Sequence, residues 1–190
     1  MAGRPRSIDR DKVLDAAETL ISSTGAGALS FESVAKAAGI TKGGVQYAFG
    51  TRDKLIRAMI ARWNETFDAE VARRTGPDPT PAETLRAIVE ETRDGDIEDQ
   101  SRIAVFMATA LQHPDQIAEF RDWYRAKLEP LDLTKSGDRK AALAFMASEA
   151  AFLLSAFGLV HFEDRDWAAL FDDILSEPAL SKQSTANQSD

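Results

Sequence analysis

The chain has 190 residues, no cysteine, and 31 acidic against 23 basic side chains, which gives a net charge of −8. The lack of cysteine excludes a disulfide framework and any thiolate metal site. The length allows one large core or two small ones. Because the first residues carry no apolar segment that could serve as a secretory signal, we expect a cytoplasmic protein.

Charge is distributed unevenly along the chain. Residues 1–62 hold ten basic and six acidic side chains, a net charge of +4, and the remainder carries −12. A positive N-terminal third on an acidic body suits a protein that meets a polyanion with one end only.

The first ten residues, MAGRPRSIDR, are polar and rich in glycine and arginine, which predicts a flexible basic arm over residues 1–10. Arg4 and Arg6 lie in a GRPR segment that resembles the arms with which some proteins enter a narrow A·T-rich minor groove. The alternative is a solubilising tail without a fixed contact.

Three short helices are predicted next. Apolar residues recur at spacings of three and four from Arg10 to Ser23, which indicates an amphipathic first helix. Ser30 can cap a second helix over 31–38, and Gly39 allows the chain to turn sharply. Thr41 can cap the third helix, over 42–49. Helices this short must pack on something larger, as in a helix-turn-helix, whose second helix enters a DNA major groove.

The polar residues of the third predicted helix match the chemistry of duplex DNA. A helix N-terminus with small residues, free backbone N–H groups and a cation can bind phosphate oxygens. The third predicted helix offers this combination at Thr41, Lys42, Gly43 and Gly44. Gln46 can pair with an adenine edge, and the Tyr47 hydroxyl can reach a phosphate. Arg52 and Lys54 can flank the same DNA phosphate backbone. The alternative is a small helical corner with a solvated face.

The segment GITKGGVQYAFGTRDKLI, preceded by LSFESVAKAA, resembles the DNA-binding domain of the TetR family of bacterial transcriptional regulators. The resemblance covers about the first third of the chain. It implies that the phosphate contacts are Ser30, Thr41, Lys42, Tyr47 and Arg52. It implies that the residues facing bases are Gly43, Gly44 and Gln46.

A long fourth helix is predicted over residues 51–74, as a connection to the second half of the chain. The segment TGPDPTP, residues 75–81, then breaks the helix. Thr80 and Glu83 can form a capping box for a helix that runs to about Arg93. Further helices are predicted over 103–113, from Pro114 to about Leu128, over 141–160, and around 167–175. No strand alternation occurs, so the protein is predicted to be all-α.

Residues 141–160 are apolar on every side. A membrane span has to be considered, but Glu149 lies near the middle of the segment, where a charge is expensive in lipid. We therefore expect a helix buried on every face, with one side against its own domain. The other side would meet a second copy of the chain through Ala144, Ala147, Ala151, Ser155 and Gly158. Together with the following helix (Trp167, Leu170, Phe171, Ile174 and Leu175), this predicts a four-helix dimer interface. The resemblance implies the same interface.

Aromatic residues of the middle helices indicate either an ordinary core or a pocket for a lipophilic ligand. The candidate ligand-binding residues are Phe106, His113, Trp123, Tyr124, Phe145, Glu149 and Phe152. A carboxylate among rings would favour a cationic ligand. Alternatively, Glu149 pairs with an arginine such as Arg102, or lies at the dimer edge.

The predicted architecture is an all-α chain with an N-terminal three-helix helix-turn-helix DNA-binding domain and a larger C-terminal helical domain for ligand binding and dimerisation. The predicted divisions are the arm, 1–10; the DNA-binding domain, 11–50; the connecting helix, 51–74; the ligand-binding and dimerisation domain, 75–178; and a disordered tail, 179–190.

The predicted function is that of a homodimeric repressor that binds a palindromic operator in double-stranded DNA and is released by a small-molecule effector. No cofactor or metal is expected. Two histidines, no cysteine and no phosphate-binding glycine loop after a strand argue against an enzyme. The alternative is a helical small-molecule-binding protein without DNA-binding activity.

Overall fold

The computed structural model describes residues 8–95, Met107 and residues 114–180. These residues form α-helices and two short 3₁₀ turns, without a strand, so the all-α prediction is confirmed. The helices are α1 (Arg10–Thr24), α2 (Phe31–Ala38), α3 (Lys42–Phe49), α4 (Arg52–Thr75), α5 (Pro81–Asp94), α6 (Pro114–Leu128), α7 (Ser136–Ala156) and α8 (Asp164–Leu175). The 3₁₀ turns are Ala26–Ala28 and Pro178–Leu180.

Several predictions concern residues outside the described ranges. These are the arm with Arg4 and Arg6, the helix expected over 103–113 with Phe106 and His113, and the tail beyond residue 180.

The described residues fall into two compact units, and one boundary between them along the chain falls within α4. The first contains residues 8–65 together with 114–116, and the second contains residues 66–95 and 117–180.

In the first unit, α1, α2, α3 and the first part of α4 enclose one apolar core. Its buried side chains are Val13, Leu14, Ala17, Ile21, Leu29, Val34, Ala35, Val45, Phe49, Leu55, Ile56, Met59 and Ile60. Arg62 of α4 donates to Asp15 of α1 at 2.7 Å and pairs with Glu18 at 2.5 Å. The shared core holds the two short helices α2 and α3 against α1 and α4. Helices this short need such support, because they are not stable alone in water.

The turn between α2 and α3 depends on Gly39. Its φ of 66° and ψ of 31° lie in the left-handed region, where a side chain would add about 1–2 kcal/mol of strain. The next amide, of Ile40, donates to the Ala35 carbonyl at 3.0 Å, which closes the helix end. The turn therefore takes only Gly39, Ile40 and Thr41 to reach α3.

In the second unit, α5, α7 and α8 pack around a core of larger side chains. The buried residues include Leu85, Ile88, Val89, Phe145, Trp167, Phe171 and Leu175. Thr80 and Glu83 form the predicted capping box, with Pro81 at the first helical position. Arg74 at the end of α4 pairs with Glu91 at 2.8 Å and Asp94 at 3.0 Å, which joins α4 to α5.

The predicted dimer interface on the last two helices is contradicted at five of its residues, which are buried within their own unit. Ala144 and Ala151 lie in the core of their own unit, as do Trp167, Phe171 and Leu175. Positions 167, 171 and 175 recur at the spacing of one helical face, and α8 packs on both α5 and α7. They are therefore not available to a second copy of the chain.

Helix α7 is not buried on every face. It begins at Ser136 and ends at Ala156, so it includes a polar first turn and stops short of residue 160. Its outer side exposes Leu143, Met146 and Leu154, and Leu143 retains 62% of its surface. Within the described ranges, no helix is long and apolar enough to span a membrane.

The C-terminal boundary also differs from the expected one. The sequence predicts a disordered tail from residue 179, but Leu180 is buried, with 1% of its surface exposed. Arg86 of α5 donates to the Leu180 carbonyl at 2.7 Å and to the Leu175 carbonyl at 3.2 Å. A long-range hydrogen bond of this kind has no local sequence signal.

Candidate nucleic-acid interface

Helix α3 buries one face and presents the other to solvent. Val45 and Phe49 lie one turn apart and are buried in the first unit, with 0% and 3% of their surface exposed. Gln46 is exposed, and Tyr47 keeps 87% of its surface. An almost fully exposed tyrosine gains little from its own fold, so its ring and hydroxyl are available to a partner.

The hydroxyls of Ser30 and Thr41 are held at the N-termini of α2 and α3. Ser30 Oγ accepts from the Ser33 amide at 3.1 Å, and Thr41 Oγ1 accepts from the Gly44 amide at 3.1 Å. A capping hydroxyl that accepts from the backbone can still donate its own hydrogen. Both predicted phosphate contacts are thus oriented by the helix ends that they cap.

The two glycines of α3 have different surroundings. A Cβ atom on Gly43 would meet only Thr41 Oγ1, at 4.0 Å. A Cβ atom on Gly44 would lie 3.3 Å from Ile8 Cδ1 and 3.5 Å from Ile40 Cδ1. Only Gly43 has the open surroundings that a residue facing a base needs. The missing side chain of Gly44 faces the protein instead, which corrects the expectation that both glycines face bases.

Lys42 lies on the exposed side of α3 with an acidic neighbour. Its Nζ atom is 3.9 Å from Glu32 Oε2 on α2, and both side chains are largely exposed. An exposed pair of this kind contributes little to stability. The lysine can therefore exchange Glu32 for a phosphate, but Glu32 adds a negative charge beside the predicted contact. The sequence carries no local signal for the contact between Glu32 and Lys42, because the two residues are ten positions apart.

Arg52 and Lys54 flank α3 from the start of α4. Arg52 is partly buried, and its Nε atom donates to the Leu29 carbonyl at 2.8 Å. It thus ties α4 to the segment before α2. Lys54 is exposed, and its amide donates to Thr51 Oγ1 at 3.2 Å, so Thr51 caps α4. Of the two, Lys54 is the more accessible cation.

A second cluster of predicted site residues lies in the second unit. The Tyr124 hydroxyl of α6 donates to Glu149 Oε2 of α7 at 2.6 Å. The Tyr124 ring lies 5.1 Å from that of Trp123 and 6.2 Å from that of Phe145. Four of the predicted ligand-binding residues therefore meet. Phe152, half-buried, is one helical turn beyond Glu149.

Burial governs the ionisation of this cluster. It raises the pKa of Glu149, and the hydrogen bond from Tyr124 offsets part of that effect. Burial also raises the pKa of the Tyr124 hydroxyl, and the nearby Glu149 carboxylate adds to the rise. Lys127, 5.2 Å from the Trp123 ring, pairs with Asp68 at 2.9 Å. The carboxylate of Glu149 thus faces Tyr124 of α6 within its own unit.

No group of three or more histidine, aspartate or glutamate side chains in the described ranges could hold a metal ion.

An eight-residue helix with a buried apolar face and an exposed polar face, joined by a tight turn to a second short helix, defines a helix-turn-helix DNA-binding protein. The chain belongs to the tetR family of bacterial regulatory proteins. The family's N-terminal profile matches residues 13–59, and the profile described as the tetracyclin repressor-like, C-terminal domain matches residues 82–177. It is accordingly a transcriptional regulator with a DNA-binding helix-turn-helix, as the resemblance implied.

Solved structures share this fold. A TetR-like transcriptional regulator from Rhodococcus sp. RHA1 is 22% identical over 90% of this chain and 96% of its own, with a TM-score of 0.62. A transcriptional regulator from Rhodococcus sp. Rha1 is 20% identical over 88% and 94%, with a TM-score of 0.65. The multidrug binding protein EbrR, complexed with imidazole, is 22% identical over 94% and 97%, with a TM-score of 0.63. No curated protein gives a significant sequence match.

The buried Glu149 predicts a pH-dependent difference in stability between the wild type and Glu149→Gln. An unfolded glutamate has a pKa of about 4.3, and the folded pKa is raised. The wild type therefore loses stability as the pH rises through the folded pKa, whereas glutamine does not. We expect Glu149→Gln to melt at a higher temperature than the wild type at about pH 8, with the difference vanishing near pH 4.

Thermal melting followed by circular dichroism measures this difference. Glu129→Gln, at an exposed position just beyond α6, is the matched control and should follow the wild type at both pH values. A Glu149→Gln difference that does not change with pH would contradict a buried carboxylate.

Proposed function

We propose that the protein is a homodimeric repressor that binds a palindromic operator through α3 and leaves it when a lipophilic cation binds the second unit. The observation that carries the DNA-binding part is the exposed face of α3, with Tyr47 outward and Val45 inward. Its proposed phosphate contacts are Ser30, Thr41, Lys42, Tyr47, Arg52 and Lys54, with Gly43 and Gln46 at the bases and Arg4 and Arg6 in the minor groove. The proposed place of action is the cytoplasm.

Dimerisation is supported by an exposed apolar stripe on α7 and the segment after it. Six large side chains are exposed there: Leu143, Met146, Leu154, Phe157, Leu159 and Val160. A contiguous apolar surface of this kind is normally covered by a partner. In the proposed dimer a second copy covers it, and the two α3 helices are held about one DNA turn (~34 Å) apart.

Ligand binding is supported by the Tyr124–Glu149 cluster. A carboxylate whose described hydrogen bond comes from a tyrosine, next to the rings of Trp123 and Phe145, offers both charge and apolar surface to a cation. Phe152, and outside the described ranges Phe106 and His113, complete the proposed lining. EbrR, which shares the fold, is described as a multidrug binding protein.

Release from DNA follows from linkage. A ligand that prefers a dimer with a different separation of its α3 helices must bind the free form more tightly than the DNA-bound form. The proposed effector acts as an inducer for that reason.

The DNA contacts are tested with two substitutions of opposite expected effect, Lys42→Gln and Glu32→Gln. Losing a phosphate contact should weaken binding and lower the salt slope by about 1 per subunit. Losing the nearby acid should strengthen binding about two- to fivefold without lowering the slope. Fluorescence anisotropy with the DNA upstream of the protein's own gene measures both.

Equal effects of the two substitutions would contradict the geometry. A wild type that binds ligand but no DNA at low salt would favour the alternative of a helical small-molecule-binding protein.

The dimer surface is tested with Leu143→Glu against Leu133→Glu. Both leucines are exposed, with 62% and 57% of their surface accessible, but only Leu143 lies on the stripe. Each buried leucine contributes about 1.5–3 kcal/mol, and the interface holds two copies, so Leu143→Glu should weaken dimerisation ~100-fold or more. Sedimentation equilibrium measures this. Monomers of the wild type, or dissociation caused equally by Leu133→Glu, would contradict the proposal.

The ligand class is tested with tetraphenylphosphonium and its neutral counterpart triphenylphosphine oxide. We expect the cation to bind, measured by calorimetry, and to release DNA. Glu149→Gln should weaken the cation about tenfold while leaving the neutral compound unchanged. Equal binding of the two compounds to the wild type would contradict a cation site at Glu149.

A further inference from the structure

Asp68 of α4 contacts two side chains of α6 through one carboxylate oxygen. Its Oδ1 atom accepts from Lys127 Nζ at 2.9 Å and from Trp123 Nε1 at 3.4 Å. Positions 123 and 127 are about one helical turn apart, so both side chains lie on the same face of α6. The Lys127 side chain keeps 17% of its surface and that of Asp68 keeps 42%. Solvent therefore screens the charge of Lys127 only in part.

Lys127 also contacts the aromatic rings of the second unit. Its Nζ atom lies over the Trp123 ring, 5.2 Å from the ring centre, and that ring lies 5.1 Å from the Tyr124 ring. The ammonium group is therefore within about 10 Å of the centre of the Tyr124 ring. The Tyr124 hydroxyl donates to Glu149 Oε2 at 2.6 Å. A cation of the protein itself thus lies beside the rings and the carboxylate that are proposed to bind a cationic ligand.

The positive charge of Lys127 opposes the binding of a cation unless another charge compensates it. Two like charges about 10 Å apart, in an effective dielectric of about 20–40, weaken a binding constant roughly four- to sixteenfold. Asp68 supplies the opposite charge at 2.9 Å, so the pair has no net charge. The hydrogen bond from Trp123 holds the carboxylate in the same place.

We propose that Asp68 and Lys127 are specificity-determining residues of the ligand site. By pairing with Lys127, Asp68 removes a positive charge that would repel a cationic ligand near Glu149. The pair has no such effect on a neutral ligand. This inference rests on the proposed function, because it concerns which charge the same ligand site accepts.

The charge of the pair defines an ordered series of variants. Asp68→Asn leaves a local charge of +1, Lys127→Gln leaves −1, and the double variant is neutral like the wild type. We expect tetraphenylphosphonium to bind about fivefold more weakly to Asp68→Asn and about fivefold more tightly to Lys127→Gln. Its affinity for the double variant should be within about twofold of the wild-type value. Isothermal titration calorimetry with the full chain measures these dissociation constants.

Triphenylphosphine oxide separates the effect of charge from an effect of packing. Because this compound is neutral and similar in shape to the cation, we expect its affinity to change less than about twofold in all three variants. A loss of affinity for both compounds in Asp68→Asn would show a packing role only and would overturn the proposal. If thermal melting shows that Asp68→Asn does not fold, Lys127→Gln decides alone, and unchanged or weaker cation binding overturns the proposal.

Asp122→Asn is the matched control for Asp68→Asn. Asp122 lies on α6 next to Trp123 in the sequence, but its side chain is 71% exposed and pairs with Arg125 at 3.6 Å. The substitution removes the same charge, and solvent screens that charge more strongly. We expect less than about a twofold change in cation affinity. Equal losses for Asp122→Asn and Asp68→Asn would show that only the net charge of the protein matters, and would overturn the proposal.

The remaining outcomes separate the pair from the function on which it rests. If the wild type binds tetraphenylphosphonium and Glu149→Gln weakens that binding, but Lys127→Gln does not strengthen it, the role of the pair is overturned and the cation site stands. If the wild type does not bind the cation, both proposals are overturned.

Discussion

A helix of eight residues does not hold its shape in water, so the presentation of α3 depends on the burial of Val45 and Phe49. Two fully buried side chains of this size contribute about 1.5–3 kcal/mol each. Outside the core, the Thr41 cap stabilises the N-terminal end of α3. The hydrogen bond from Arg10 to the Ala48 carbonyl stabilises its C-terminal end. Tyr47 on the outward face takes no part in this packing and remains almost fully exposed.

Electrostatics divide the chain in a way that complements this packing. The first 62 residues carry +4 and the remainder −12, so long-range electrostatics favour the approach of a polyanion to the basic part of the chain and disfavour its approach to the acidic part. Local charges refine that picture. Lys42 lies beside Glu32, and Arg52 is engaged with the Leu29 carbonyl. Lys42 and Arg52 therefore have partners within the protein, and we expect their contributions to DNA binding to be unequal.

The second unit has two features that its own stability does not require. A stripe on α7 leaves leucine and methionine side chains exposed, and Glu149 is buried with a tyrosine as its described partner. Each is unfavourable for an isolated monomer, the first through exposed apolar surface and the second through desolvation of a carboxylate. Both unfavourable free energies decrease if a second copy covers the stripe and a cationic ligand binds next to the Glu149 carboxylate. This is the arrangement proposed for this regulator.

The sequence by itself determined the helices whose ends carry local signals: the caps Ser30, Thr41 and Thr80, the turn at Gly39, and the break before α5, all of which depend on neighbouring residues. It also determined the outward residues of α3, because helical spacing places Gln46 and Tyr47 opposite Val45 and Phe49. Only the tertiary structure decided which face of α7 is buried, that Leu180 belongs to the core, and that Ile8 fills the space beside Gly44. Those outcomes depend on contacts between residues far apart in the chain, and a periodic apolar pattern does not specify its partner.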